Sequence, residues 1–207
     1  MENRILYLGD IHGNFNIISQ YINIYSITNA TIIQVGDFGV GFTTFDKDKR
    51  NLSALNVKLK KKNVTLYAIR GNHDYKPYFD NDPFECSNIH LIKDYTVLEL
   101  NSERILCIGG AISIDRMYRI ANDGKYKSWW KDESFEIDEH ALENMRGITT
   151  LVTHTAPDFC HPDNTHGFNS LVDNMAKDDK YLKPDLLTER NLMTQAFNIL
   201  DKNNNIS

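Results

Sequence analysis

The sequence predicts an α/β fold built on a parallel sheet, joined by a second and more antiparallel sheet. Three observations predict it. Over the first 75 residues, short apolar runs alternate with amphipathic stretches in a βαβαβ order, which implies right-handed crossovers between parallel strands. In the middle of the chain, shorter strand-like runs follow one another with tight connections. The length of 207 residues suits one substantial domain, and the expected unit is a single domain over residues 1–207.

Each element has its own signal. Ile5 to Leu8 reads as a buried strand ending in Gly9-Asp10-Ile11-His12-Gly13. Phe15, Ile17, Ile18, Tyr21, Ile22 and Ile24 then recur at helical spacing. Thr31 to Val35 is a second strand, again ending in Gly-Asp at Gly36 and Asp37. A charged helix carries Leu52, Leu55, Val57 and Leu59, and its lysine-rich end, Lys58 to Lys62, suits a helix C-terminus facing water. Val64 to Ile69 is a third strand, ending in Arg70-Gly71-Asn72-His73-Asp74. His90 to Ile92, Thr96 to Leu100 and Ile105 to Ile108 are the short strands expected in the second sheet, which Gly109-Gly110 interrupts. A loop-rich, aromatic stretch runs to Glu136, and Asp138 to Met145 reads as a short helix. Thr149 to Val152 is a last strand, followed by Thr153-His154-Thr155. Asp158 to Phe168 is expected as loop, and Leu186 to Leu200 as an apolar helical stripe.

Composition excludes several classes. With 41% hydrophobic and 25% charged residues, the chain is neither disordered nor fibrous. No apolar stretch approaches the ~18 to 20 residues of a membrane helix, so no membrane partner is expected. The start, MENRILYLGD, has neither a secretory nor a transit pattern. The net charge of −5 makes a stable nucleic-acid complex unexpected. Cys86, Cys107 and Cys160 are too few and too widely spaced for a disulfide framework or a metal knuckle. A reducing, cytoplasmic location is expected.

The chemistry lies at strand ends. Asp10 with His12, then Asp37, then Asn72 with His73, and finally His154 each follow a predicted strand. In α/β sheets the carboxyl ends of strands are where sites are built. Carboxylates, imidazoles and an amide oxygen together suit a hard or borderline divalent ion. Singly, each has a plainer reading: Gly-Asp as a turn and cap, Asn-His-Asp as a turn, His154 as a hydrogen-bonded core histidine. Asp10 and His12, two apart, share a side if the segment is extended.

These motifs, in this order and spacing, resemble the calcineurin-like metallophosphoesterase family over nearly the whole chain. Gly109 to Arg116 (GGAISIDR) and Ser128-Trp129-Trp130 look like its small bacterial and viral members. The resemblance implies a four-layer α/β/β/α sandwich with a two-metal centre. Asp10 and His12 would hold one metal, Asp37 would bridge, and Asn72 and His154 would hold the other. His73 would be a catalytic acid beside the centre and Arg70 a substrate-phosphate contact, with Arg116 and Arg119 as weaker phosphate candidates. Mn²⁺ is the first expectation, with Fe, Zn²⁺ or Ni²⁺ as alternatives. A bridging hydroxide would attack a phosphomono- or diester of a phosphoprotein, a nucleotide or a small phosphate.

Two departures stand out. The family carries a second Asp three residues after the bridging one, where this chain has Val40; Asp46, Asp48 or Asp74 is then expected to orient His73. The family's closing Gly-His-x-His is missing, so the domain is expected to be incomplete at its C-terminus, with His161 or His166 as possible stand-in ligands. A rival expectation follows from the missing histidines: a weak or inactive member of the fold serving as a binding scaffold. Trp129, Trp130 and Tyr126 are expected either to line the site's mouth or to form a packed flap.

Overall fold

The strands of the first sheet send alternate apolar residues to opposite faces, so that sheet has to be covered twice. Ile32 and Leu66 face one set of neighbours, whereas Ile33 and Ile69 face another. The computed structural model of the protein describes residues 4–122, 129–160, 167–204 and 206. Its strands are β1 (Arg4–Leu8), β2 (Ala30–Gln34), β3 (Val64–Ala68), β4 (Ile89–Leu91), β5 (Thr96–Leu100), β6 (Glu103–Ile108) and β7 (Thr150–Thr153). Its helices are α1 (Phe15–Ile24), α2 (Phe45–Lys61), α3 (Lys76–Asn81), α4 (Arg116–Asn122), α5 (Glu139–Asn144), α6 (Phe168–Met175) and α7 (Leu182–Asp201).

Strands β1 to β4 form one parallel sheet in chain order, and β5, β6 and β7 form the second. Three apolar layers hold the four structural layers together. Ile18 and Ile22 of α1 and Leu52, Leu55 and Leu59 of α2 cover the outer face of the first sheet. Ile33, Ile69, Leu98, Ile105, Cys107 and Val152 fill the space between the sheets. Leu142 of α5 and Met193, Ala196 and Leu200 of α7 cover Leu106 and Ile108 on the far face of the second sheet. This is the expected α/β/β/α sandwich. Cys107 is a core thiol, its pKa pushed up to about 12 by burial.

Several expectations are corrected in detail. The strand at Ile89–Leu91 belongs to the first sheet, pairing parallel with β3, because α3 supplies the crossover that parallel pairing needs. The second sheet is mixed: β5 and β6 pair antiparallel across Asn101, which takes a positive φ of 54°, and β7 joins β6 in parallel. Helix α4 forms within the stretch read as loop. Among the described residues, no helix is long and apolar enough to cross a membrane.

One buried carboxylate ties the loops at the strand ends. Asp74 accepts the backbone N–H groups of Phe38, Gly39, Val40 and Gly71 at 2.7–3.1 Å. Burial pushes its pKa up, but each oxygen already accepts two N–H groups, which favours the ionised form. The contact fixes the loop after β2 to the loop after β3. We expect Asp74→Asn to destabilise the fold by about 3 kcal/mol, because an amide NH₂ would then face backbone donors. Urea denaturation monitored by circular dichroism checks this.

Candidate metal centre

The loops at the strand ends are locked by backbone bonds before any side chain is considered. After β1, the N–H groups of Ile11 and His12 both donate to the Asp37 carbonyl, and Gly13 donates to Phe38. This route puts His12 at φ 45° and Asp37 at φ 53°, the left-handed region that non-glycine residues seldom adopt. The segment holding Asp10 and His12 is therefore a turn, not the extended stretch expected. It still leaves His12 Nε2 3.8 Å from Asp10 Oδ2.

Asp37 is the hub. Its Oδ2 lies 2.8 Å from His73 Nδ1 and 3.7 Å from His12 Nδ1, and its Oδ1 lies 3.3 Å from His154 Nε2. The His73 backbone N–H donates to Oδ1 at 2.8 Å. His12, Asp37 and His73 each bring one ligand-type atom to within 4.8 Å of the others. Such closeness needs residues without side chains nearby. A Cβ on Gly71 would stand 2.1 Å from Asp37 Oδ1, and one on Gly36 would stand 2.2 Å from His154 Nδ1.

The second half of the cluster has a clearer electrostatic logic. His154 Nδ1 lies 2.9 Å from the Val35 carbonyl, an acceptor only, so Nδ1 carries a hydrogen. Its Nε2 faces Asn72 Oδ1 at 3.1 Å as well as Asp37 Oδ1. The Asn72 amide is oriented by Ser113: Nδ2 donates to Ser113 Oγ at 2.8 Å, and Ser113 in turn donates to Glu133 at 2.7 Å. His154 Nε2 thus faces two acceptor oxygens, which is unfavourable unless a positive charge sits there. In the metal-free protein a second proton on His154 supplies it. Burial alone would lower the His154 pKa, but the Asp37 carboxylate overrides this and raises it to about 9. Burial likewise opposes the Asp37 charge, yet His154 and His73 hold that carboxyl well below the usual range. A divalent cation fits the same donors, and mixed N and O ligation suits a borderline ion.

All six residues, Asp10, His12, Asp37, Asn72, His73 and His154, line one cleft of about 520 Å³. Three arginines do not join them. Arg70 was expected on a substrate phosphate, but it is 1% exposed. Its Nε donates to Asp94 at 2.8 Å, and its terminal nitrogens donate to the carbonyls of Asp132, Glu133 and Ser134. It pins the loop before α5 to the strand ends. Arg116 is held by Asp179 and Asp185, and Arg119 by Asp115. Neither Asp46, Asp48 nor Asp74 orients His73. Asp46 is exposed. Asp48 accepts from Gly41 and Thr43, and Asp74 serves the backbone. Asp37 takes that contact instead, while Val40 is buried in the core. Trp130 packs against Phe42 and Tyr75, as a flap would. Tyr126, Ser128, His161 and His166 lie outside the described residues.

Sequence reading missed two cleft residues on α7. Glu189 is buried and accepts from the N–H groups of Ile112 and Phe135 and from Thr155 Oγ1, the neighbour of His154. Arg190 lines the cleft beside it. The signal was present: Leu182, Leu186, Glu189, Met193, Ala196 and Leu200 follow one apolar seam, and Glu189 is the charge within it.

The fold and the cleft define a class of protein: a four-layer α/β/β/α sandwich with a divalent-cation donor set at its strand ends. A family model for calcineurin-like phosphoesterases matches residues 3–187, and the chain belongs to that family. The family implies metal-dependent phosphoester hydrolysis and generally binds two divalent ions. No curated protein matches the chain.

Two expectations follow. His154 is raised above its unfolded value of about 6.5, so its contribution to the metal-free protein is full below that pH and is lost as pH rises through about 9. Thermal melts of metal-free protein between pH 6 and 9.5 should show this decline. Ser113→Ala should weaken Mn²⁺ binding about tenfold by releasing the Asn72 amide, which calorimetric titration measures directly.

Proposed function

We propose that this protein hydrolyses a phosphomono- or diester with two divalent ions, Mn²⁺ first among them. Asp10, His12 and Asp37 would hold one ion, and Asp37, Asn72 and His154 the other. The observation that carries the reading is that Asp37 Oδ1 and Asn72 Oδ1 both face His154 Nε2, at 3.3 and 3.1 Å. When bound, such a pair supplies a water of lowered pKa and neutralises charge on the phosphoryl oxygens.

The chain's own residues do the rest. Asp37, with an oxygen towards each half of the cluster, sets the spacing of the two ligand groups. His73 is held through Nδ1 by Asp37, while its buried Nε2 has no hydrogen-bond partner among the described residues. We assign to His73 the proton that the leaving ester oxygen takes up. With Arg70 and Arg116 engaged elsewhere, Arg190 is the guanidinium that lines the cleft and would meet a phosphate oxygen. Its Nε donates to Asp158 Oδ1 at 3.2 Å. The cleft's volume suits a small ester or a single phosphorylated side chain.

The test is hydrolysis of p-nitrophenyl phosphate and its bis-ester with added Mn²⁺. Asp37→Asn should remove both activity and metal uptake. His73→Ala should lower kcat by about 10²–10⁴-fold and keep the metal content. Loss of one metal equivalent in His73→Ala would make His73 a ligand and overturn its assignment. A metal-loaded wild type inert towards both esters would defeat the hydrolase reading.

A further inference from the structure

A second polar recess lies on the other side of the loop that carries His12. It has a volume of about 140 Å³ and sits between the start of α1 and the outer face of α2. That is the liquid share of about four or five waters, enough for a tetrahedral oxyanion. Gly13, directly after His12, forms one wall.

Its lining combines polar groups rich in donors with the apolar Phe15, Ala54 and Leu55. Helix α1 has ten residues and no acidic residue in its first turn, and Asn14 makes no side-chain cap. The backbone N–H groups of Phe15 and Asn16 are the first two of α1, where no partner is available within the helix. The positive end of the helix dipole is therefore uncompensated. Lys58 of α2 lines the recess. The amides of Asn14, Asn16 and Asn51 complete the rim. At its base is Ser19, 8% exposed, whose hydroxyl has no hydrogen-bond partner. A buried hydroxyl left unpaired is costly unless something binds it. No carboxylate lines the recess among the described residues.

One cation, a helix N-terminus, amide donors and an unpaired buried hydroxyl share one chemistry. We propose that this recess is a phosphate-binding site, separate from the metal centre, in which Lys58, Ser19 and the first N–H groups of α1 hold a phosphate dianion. The dianion is either free inorganic phosphate or a second phosphate group on the substrate; the latter source rests on the hydrolase reading above.

The test is a backbone-amide NMR titration of metal-free protein with inorganic phosphate at pH 7, against sodium chloride of equal ionic strength. Saturable shifts are expected at Phe15, Asn16 and Ser19. Lys58→Gln should weaken them about tenfold, and Ser19→Ala, which suits a helix, should also weaken them. Equal shifts with chloride, shifts confined to Asn72 and His154, or unchanged binding in Lys58→Gln would each overturn the proposal. These outcomes do not depend on catalysis, so an inactive enzyme would defeat the hydrolase reading and leave this site standing. In Mn²⁺-loaded protein, Lys58→Gln should raise KM for a bisphosphorylated ester alone if the phosphate belongs to the substrate. It should relieve inhibition by inorganic phosphate if the ligand is free.

Discussion

The site depends on one buried carboxylate that does no chemistry. Asp74 gathers backbone N–H groups from residues 38–40 and from Gly71, and so joins two loops that leave neighbouring parallel strands. Parallel strands separate where their ladders end, and the loops beyond them have no reason of their own to stay together. A carboxylate with both oxygens satisfied by backbone is a strong local clamp because each bond is charge-assisted. It holds Asp37 in its left-handed conformation with its side chain against the histidines. Without that clamp, the contacts of His73 with Asp37 and the bond from the Tyr75 N–H to the Val40 carbonyl would have to hold the two loops together.

Upon this frame stands an electrostatic arrangement that only makes sense with added positive charge. Asp37 is nearly fully buried, yet histidines approach both of its oxygens. Asn72 presents an oxygen where an NH₂ would have matched the neighbouring acceptors, and Ser113 with Glu133 keeps it turned that way. Orientation of a weak ligand by buried partners is the usual means by which a protein prepares a cation site before the cation arrives. Glu189 contributes similarly from the far helix layer, binding together the loops at Ile112, Phe135 and Thr155. The outer helix is therefore connected to the centre by hydrogen bonds as well as by packing.

The arginines illustrate a different economy. Arg70 directly precedes the Gly-Asn-His-Asp turn, and a cation there looks suited to an anionic substrate. The structure gives it to three backbone carbonyls and Asp94, which would otherwise be left poorly paired near the sheet edge. A fully buried guanidinium has to satisfy its own donors locally, and the carbonyls of residues 132–134 offered the geometry. The cations that line open recesses are instead residues without a motif, Arg190 in the cleft and Lys58 in the smaller recess.

What the sequence determined by itself was whatever is carried by period and position. Apolar alternation located all seven strands to within two residues, and the strand-end residues Asp10, His12, Asp37, Asn72, His73 and His154 were identified because side chains at strand ends converge in an α/β sheet. Partnership was not legible there. Whether β4 joined the first sheet or the second, whether Arg70 faced a substrate or a backbone, and which carboxylate met His73 were all settled by which chain segments lie side by side. The helix seam containing Glu189 recorded an anomaly without naming its partners, which come from loops more than 30 residues away. Local pattern reports the conformation and burial of one segment, whereas a hydrogen bond or ion pair between distant segments exists only once the layers have packed.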